Sequence, residues 1–120
     1  MIKGIGIDIT ELNRIEALIQ RKPTFINRIL TQKEKQAYFQ LSNKRKTEFL
    51  AGRFAAKEAF SKAYGTGIGA HLSFLDIEIE KEPSGKPIIV KPINAGVHLS
   101  ITHSKEYALA QVIIEESINA

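Results

Sequence analysis

Arg53-Phe54-Ala55-Ala56-Lys57-Glu58-Ala59-Phe60-Ser61-Lys62, with Gly65-Thr66-Gly67 close behind, is the stretch on which the fold turns. In the stretch that runs up to Gly65 the apolar residues recur at helical spacing; beyond Gly69 they alternate, so the glycines divide a long helix from a run of strands. Within the helix Glu58 and Lys62 lie one turn apart on one face, while Phe54, Ala55, Ala59 and Ala63 supply an apolar side. One acid among several bases suits a metal ion bound to a polyphosphate, the acid holding the cation and the lysines neutralising phosphate oxygens. An ordinary ion pair on a solvated helix face accounts for the same residues.

The chain opens Met1-Ile2-Lys3-Gly4-Ile5-Gly6-Ile7-Asp8-Ile9-Thr10, an alternating strand with Ile5, Ile7 and Ile9 on one face and Gly4, Gly6 and Asp8 on the other. Glycine weakens a strand, so two at alternate positions beside a carboxylate imply close approach of a ligand or another backbone. Asp8 as a cap for a helix beginning near Thr10, with the glycines making room for that helix, is the structural alternative. Val97-His98-Leu99-Ser100-Ile101-Thr102-His103-Ser104 alternates as well. Val97, Leu99, Ile101 and His103 share one face; His98, Ser100 and Thr102 form a polar row on the other.

Between these landmarks, Thr10 is expected to cap a helix running to Lys22, with Leu12, Ile15, Leu18 and Ile19 as its apolar stripe and Pro23 as its stop. Thr24 opens a short turn holding Phe25, Ile26 and Ile29. Thr31 and Glu34 form a capping-box signature for a helix ending near Ser42-Asn43. The long helix then runs from about Lys44 to Tyr64 and stops at Gly65. Strands follow at Ile77–Glu80, Ile88–Val90, Val97–Thr102 and Ala108–Ile114, with turns at Pro83-Ser84-Gly85 and Ser104-Lys105-Glu106. The fold class is α+β: a single domain, 1–120, in which an antiparallel sheet comes largely from the second half and is joined by the first strand.

With 120 residues, 43% of them hydrophobic, the chain is of single-domain size with a modest core. Having no cysteine, it has no disulfide, thiolate nucleophile or cysteine-ligated zinc site. No stretch reaches the ~18 apolar residues that a membrane span requires, and the start lacks a signal peptide's apolar run, so a cytoplasmic location is expected. The net charge of +4 is unevenly spread: residues 1–62 carry +7 and residues 63–120 carry −3. Arg14, Arg21, Lys22 and Arg28 recur along the first helical stretch, a surface whose field attracts any acidic partner. Base-stacking aromatics are not interleaved with it, which argues against a single-strand nucleic-acid binder.

Together, Gly4-Ile5-Gly6-Ile7-Asp8, Arg53 to Lys62 and His98 to His103 closely resemble the holo-acyl-carrier-protein synthase family, small phosphopantetheinyl transferases acting on carrier proteins of fatty-acid synthesis. The resemblance runs nearly end to end. It is most specific at Lys57-Glu58-Ala59 to Lys62 with an aspartate ending the first strand; the family often has tryptophan where this chain has Phe54. It implies transfer of the phosphopantetheine arm of coenzyme A to a carrier-protein serine, releasing adenosine 3',5'-bisphosphate, with magnesium as cofactor. Asp8 and Glu58 are then the metal ligands and catalytic centre, and His103 a contributor to phosphate contact or proton handling. Arg53, Lys57, Lys62 and the Gly65-Thr66-Gly67 amides become candidate contacts to coenzyme A, with Lys86 in the Ser84-Gly85-Lys86-Pro87 turn, Thr102 and His103 beside them. The general base is a carboxylate of the pair or a metal-bound water.

The same resemblance implies a homotrimer with active sites between subunits, no nucleic-acid or membrane partner, and acyl carrier protein as the acidic substrate. Its docking face is read as Arg14, Arg21 and Arg28 around the apolar anchors Phe25 and Ile26. Two other classes remain open from the residues alone: a nucleic-acid-binding module using the basic half, and a metal-dependent phosphohydrolase using Asp8 and Glu58.

Overall fold

A computed structural model describes residues 1–116. Strand β1 (Ile2–Glu11) leads into helices α1 (Leu12–Arg21), α2 (Phe25–Ile29), α3 (Gln32–Tyr38) and α4 (Asn43–Tyr64). A 3-10 turn at Phe74–Asp76 precedes β2 (Glu78–Lys81), β3 (Pro87–Lys91), β4 (Val97–His103) and β5 (Tyr107–Glu115). The α+β expectation holds, with one refinement. The strands form two antiparallel sheets rather than one: β1-β5-β4, in which the first strand pairs with the last, and the separate hairpin β2-β3.

Alpha-helix α4 is the organising element. Its buried residues Leu50, Ala51, Gly52, Ala55, Ala56, Ala59, Phe60 and Ala63 wrap most of its circumference, because it is covered by the three-stranded sheet, the hairpin and the small helices. The inner face of the sheet is built from small side chains: Gly4, Gly6 and Thr10 on β1, paired in register with Ile114, Val112 and Ala108 on β5. A methyl group placed on Gly4 would overlap the carbonyl oxygen of Ala63, and one on Gly6 that of Ala59. The close approach foreseen at these glycines is therefore made by the backbone of α4, not by a ligand or by α1. β1 and α4 run antiparallel, and two strand residues (about 6.6 Å) match about four helix residues (about 6 Å), which carries the contact evenly along both. The opposite face of β1 is bare: Ile5, Ile7 and Ile9 are 57%, 55% and 59% exposed.

Local signals succeeded unevenly. Thr31 and Glu34 do form the reciprocal capping box, and Gly65 ends α4 in the left-handed region at φ 100°. Alpha-helix α3 stops at Tyr38, short of the expected Ser42, because Ser42 instead caps α4 by accepting from the Arg45 amide (3.4 Å). Thr10 does not cap α1. β1 continues to Glu11, which is the N-cap without a side-chain bond, and the Thr10 hydroxyl turns to Asp8 (3.1 Å).

A carboxylate pair at the junction of β1 and α4

Asp8 follows the two glycines on the inner face of β1 and pairs in register with Ala110, so no bulky neighbour separates it from α4. Its Oδ2 accepts from the Thr10 hydroxyl (3.1 Å), and its Oδ1 lies 3.4 Å from Nζ of Lys62. The Lys62 ammonium also donates to the Ile7 carbonyl at 2.9 Å, which pins it across the strand while half its side chain stays in solvent. Glu58, one turn before Lys62 on α4, is half-buried. Burial raises its pKa above the usual carboxylate range, the nearby Asp8 charge raises it further, and Lys62 and Arg14 oppose the rise. Two carboxylates that repel each other at a partly wet edge are a fitting donor set for a hard cation. Among the described residues no cluster of three or more His, Cys, Asp or Glu side chains forms a metal site, so a hard cation held by this pair would take its remaining oxygens from outside the chain.

Other expected contacts are redistributed. Lys57 is fully buried, and its three N–H donors are spent on the Ile29 carbonyl (2.6 Å), Glu34 Oε1 (2.7 Å) and the Phe74 carbonyl (3.1 Å). It is corrected from a phosphate ligand to an internal tie. Gly65 and Gly67 both donate their amides to the Ser61 carbonyl (3.0 and 3.1 Å), so these two serve the end of the helix rather than an anion. Arg53 is 8% exposed, lies 4.3 Å over the Phe49 ring, and has no partner for Nε among the described residues; burial lowers its pKa.

His103 stands near the start of α4, Nε2 at 3.6 Å from Glu48 Oε2. Ten residues, about 15 Å of helix, separate Glu48 from Glu58, so one chain does not bring His103 to the carboxylate pair. His103 borders an open groove of about 950 Å³ with Asn13 and Glu16 of α1, Lys44, Lys46 and Glu48 of α4, and Lys105; Asp8 and Glu58 lie outside it. Thr102 points to the other face of β4, opposite Leu109. Lys86 is exposed in the β2-β3 turn. On the basic side Arg14, Arg21 and Arg28 are exposed and Phe25 is half-buried against Phe54 (ring centroids 6.3 Å), but Ile26 is in the core and is withdrawn as a partner anchor.

Two residues escaped the sequence reading. Thr10 orients Asp8, and its signal was its position two residues on along the same strand face. Glu34 was read only as half of a capping box, yet its Oε2 also accepts from the Ile79 amide (2.8 Å).

The family model described as the 4'-phosphopantetheinyl transferase superfamily matches residues 4–112. The holo-[acyl-carrier-protein] synthase of Bacillus subtilis (strain 168) is 64% identical over 117 residues, spanning 96% of this chain and 97% of that protein. A crystal structure of a holo-(acyl-carrier-protein) synthase from Bacillus anthracis, in complex with CoA (3',5'-ADP), superposes with a TM-score of 0.88 at 56% identity, over 98% of this chain and 99% of the other. The Helicobacter pylori holo-[acyl-carrier-protein] synthase in complex with coenzyme A gives 0.79 at 38% identity, over 92% and 99%. Matched from its first strand to its last, this chain belongs to the holo-[acyl-carrier-protein] synthase family of the 4'-phosphopantetheinyl transferase superfamily.

Proposed function

We propose that this chain moves the 4'-phosphopantetheine arm of coenzyme A to a serine of apo-acyl carrier protein, giving holo-acyl carrier protein and adenosine 3',5'-bisphosphate in a magnesium-dependent reaction. The observation that carries the reading is the Asp8–Glu58 pair with Lys62 beside it, in a chain whose relatives bear that enzyme's name. The serine oxygen forms a bond to the β-phosphorus while the bond from that phosphorus to the bridging oxygen breaks, so negative charge builds on entering and leaving groups alike. Asp8 and Glu58 would hold the cation, which supplies charge neutralisation and Lewis acidity at the phosphate. Lys62 adds a donor to the phosphate oxygens, and Thr10 keeps the Asp8 carboxylate turned toward α4. The serine proton passes to a carboxylate of the pair.

Arg14, Arg21 and Arg28 beside Phe25 form the face for the acidic carrier protein. Copies of the chain assemble as a homotrimer. Two features support this: the exposed isoleucine face of β1, and the separation within one chain of the His103 groove from the carboxylates, which association could close by facing one chain's groove toward another's Asp8 and Glu58. Mass spectrometry of apo-acyl carrier protein incubated with coenzyme A and magnesium tests the activity. The expected result is a carrier protein heavier by one phosphopantetheine arm. Release of a phosphoryl product to water without a carrier, or salt-dependent oligonucleotide binding without turnover, would replace this reading with a hydrolase or a nucleic-acid binder.

A further inference from the structure

The ammonium of Lys57 and the carboxylate of Glu34 are 0% and 1% exposed and meet at 2.7 Å. Around them five segments converge. Lys57 of α4 donates to the last carbonyl of α2 (Ile29) and to the 3-10 turn (Phe74); Glu34 Oε1 accepts from the Thr31 amide that opens α3, and Oε2 from the Ile79 amide of β2. Burying such a pair is a poor route to stability, since apolar side chains of similar volume do as well or better. What the pair imposes is geometry, because every donor and acceptor is satisfied in one arrangement only.

The rotation of α4 is already fixed by Gly4 and Gly6 of β1, so the three bonds of the Lys57 ammonium tie the surrounding segments to the helix edge that carries Glu58. Alpha-helix α2 is five residues long, too short to persist alone, and the Lys57 bond grips its final carbonyl. The same helix carries Phe25 and Arg28. Above the polar tie, Phe54 meets both Phe25 (6.3 Å) and Phe74 (5.3 Å), so the aromatic contacts bridge the same elements from the outer side.

Resting on the activity proposed above, we infer that Glu34 and Lys57 are positioning residues for transfer: the pair holds the carrier-docking helix α2 in register with the catalytic edge of α4. Its loss should disturb the presentation of the carrier serine and spare coenzyme A binding, since neither side chain is open to that ligand.

The test is the double variant Glu34→Gln/Lys57→Met. It removes both charges together, keeps an amide oxygen for the Ile79 amide, gives up the acceptor of the Thr31 amide and the donors to the Ile29 and Phe74 carbonyls, and fills the Lys57 space with an unbranched chain. The expected result is a folded protein whose coenzyme A affinity, measured by calorimetry with magnesium, stays within about twofold of wild type. Its kcat/KM for apo-carrier protein should fall about 10- to 100-fold, the range set by small misplacements of reacting groups. Unlike an arginine reversal on α1, the defect should not shrink as salt is added. Wild-type kcat/KM in the folded double variant would overturn the inference and leave the pair a stabilising contact. A fall in coenzyme A affinity by the same factor as in transfer would overturn it too. If the double variant does not fold, Glu34→Asp, which keeps the charges and withdraws the carboxylate by one methylene, must show the same split or the inference fails. Wild-type protein run alongside reports on the activity itself: no transfer there overturns the proposed reaction, whereas equal transfer by wild type and variant overturns only the role of the pair.

Discussion

Glu58 is the residue at which physical and functional demands conflict. Burial and the Asp8 charge raise its pKa above 4.5, so the folded protein holds that proton more tightly than the unfolded chain does. Above the raised pKa the charged form therefore costs stability; the cost is relieved as pH falls through that pKa and is gone below the unfolded value. Glu58→Gln should accordingly stabilise the fold at neutral pH without divalent cations, by well under about 1 kcal/mol for a half-buried group, and the gain should vanish on acidification past about pH 4. Calorimetric melts across pH check this, and a variant less stable than wild type at neutral pH would contradict it. The same residue is indispensable to the proposed chemistry. Asp8→Ala and Glu58→Ala should each lower transfer at least ~10³-fold while circular dichroism remains native, since neither removes core packing. Lys62→Ala should retain transfer and weaken coenzyme A binding about 10- to 100-fold, the span of a hydrogen bond to a charged group. Its ammonium is held by the Ile7 carbonyl as well as Asp8, so it arrives at a phosphate already placed.

At the scale of elements, the contact of β1 with α4 decides whether the site exists. Gly4 and Gly6 let the helix backbone lie against the strand, and this brings Asp8, a short side chain, within influence of Glu58. Gly6→Ala should destabilise the fold by about 3 kcal/mol or more, because the added methyl meets a backbone carbonyl that no rotamer change can move. Denaturant titration measures it, and a loss below about 1 kcal/mol would mean that strand and helix separate easily. Transfer should fall further than stability alone requires, as separation also parts Asp8 from Glu58.

For the molecule as a whole, the exposed arginines Arg14, Arg21 and Arg28 lie on α1 and α2 and the bare isoleucines on β1. Arg14 both faces the proposed carrier and acts on Glu58, so Arg21, exposed in the last turn of α1, is the cleaner probe of docking. Arg21→Glu should raise KM for the carrier protein about 3- to 10-fold at low salt, leave coenzyme A affinity unchanged, and converge on wild type as salt is added. Unaltered carrier kinetics at low ionic strength would move the docking face elsewhere. On β1, Ile7→Arg should dissociate the proposed trimer in sedimentation and lower transfer with it, because a charge in an apolar interface cannot be desolvated without a partner. An unchanged sedimentation coefficient would exclude this face from the assembly.

The sequence by itself determined the element order, the capping box at Thr31 and Glu34, the stop at Gly65, and the family, since these depend on spacing, backbone conformation and short motifs that neighbours along the chain fully specify. Its resemblance also named Asp8 and Glu58, although fifty residues separate them and nothing local brings them together. Only the tertiary structure decided which side chains face outward. Lys57 and Lys62 read alike on a helix, yet Glu34 and two carbonyls draw the first inside while the second reaches the Ile7 carbonyl at the surface. Ile26 and Phe25 are adjacent and equally apolar, but the core takes Ile26 and leaves Phe25 half-bare. His103 was drawn toward the carboxylates by motif, and the length of α4 keeps them apart. Periodicity fixes which residues share a face; what that face meets depends on contacts between segments distant in sequence.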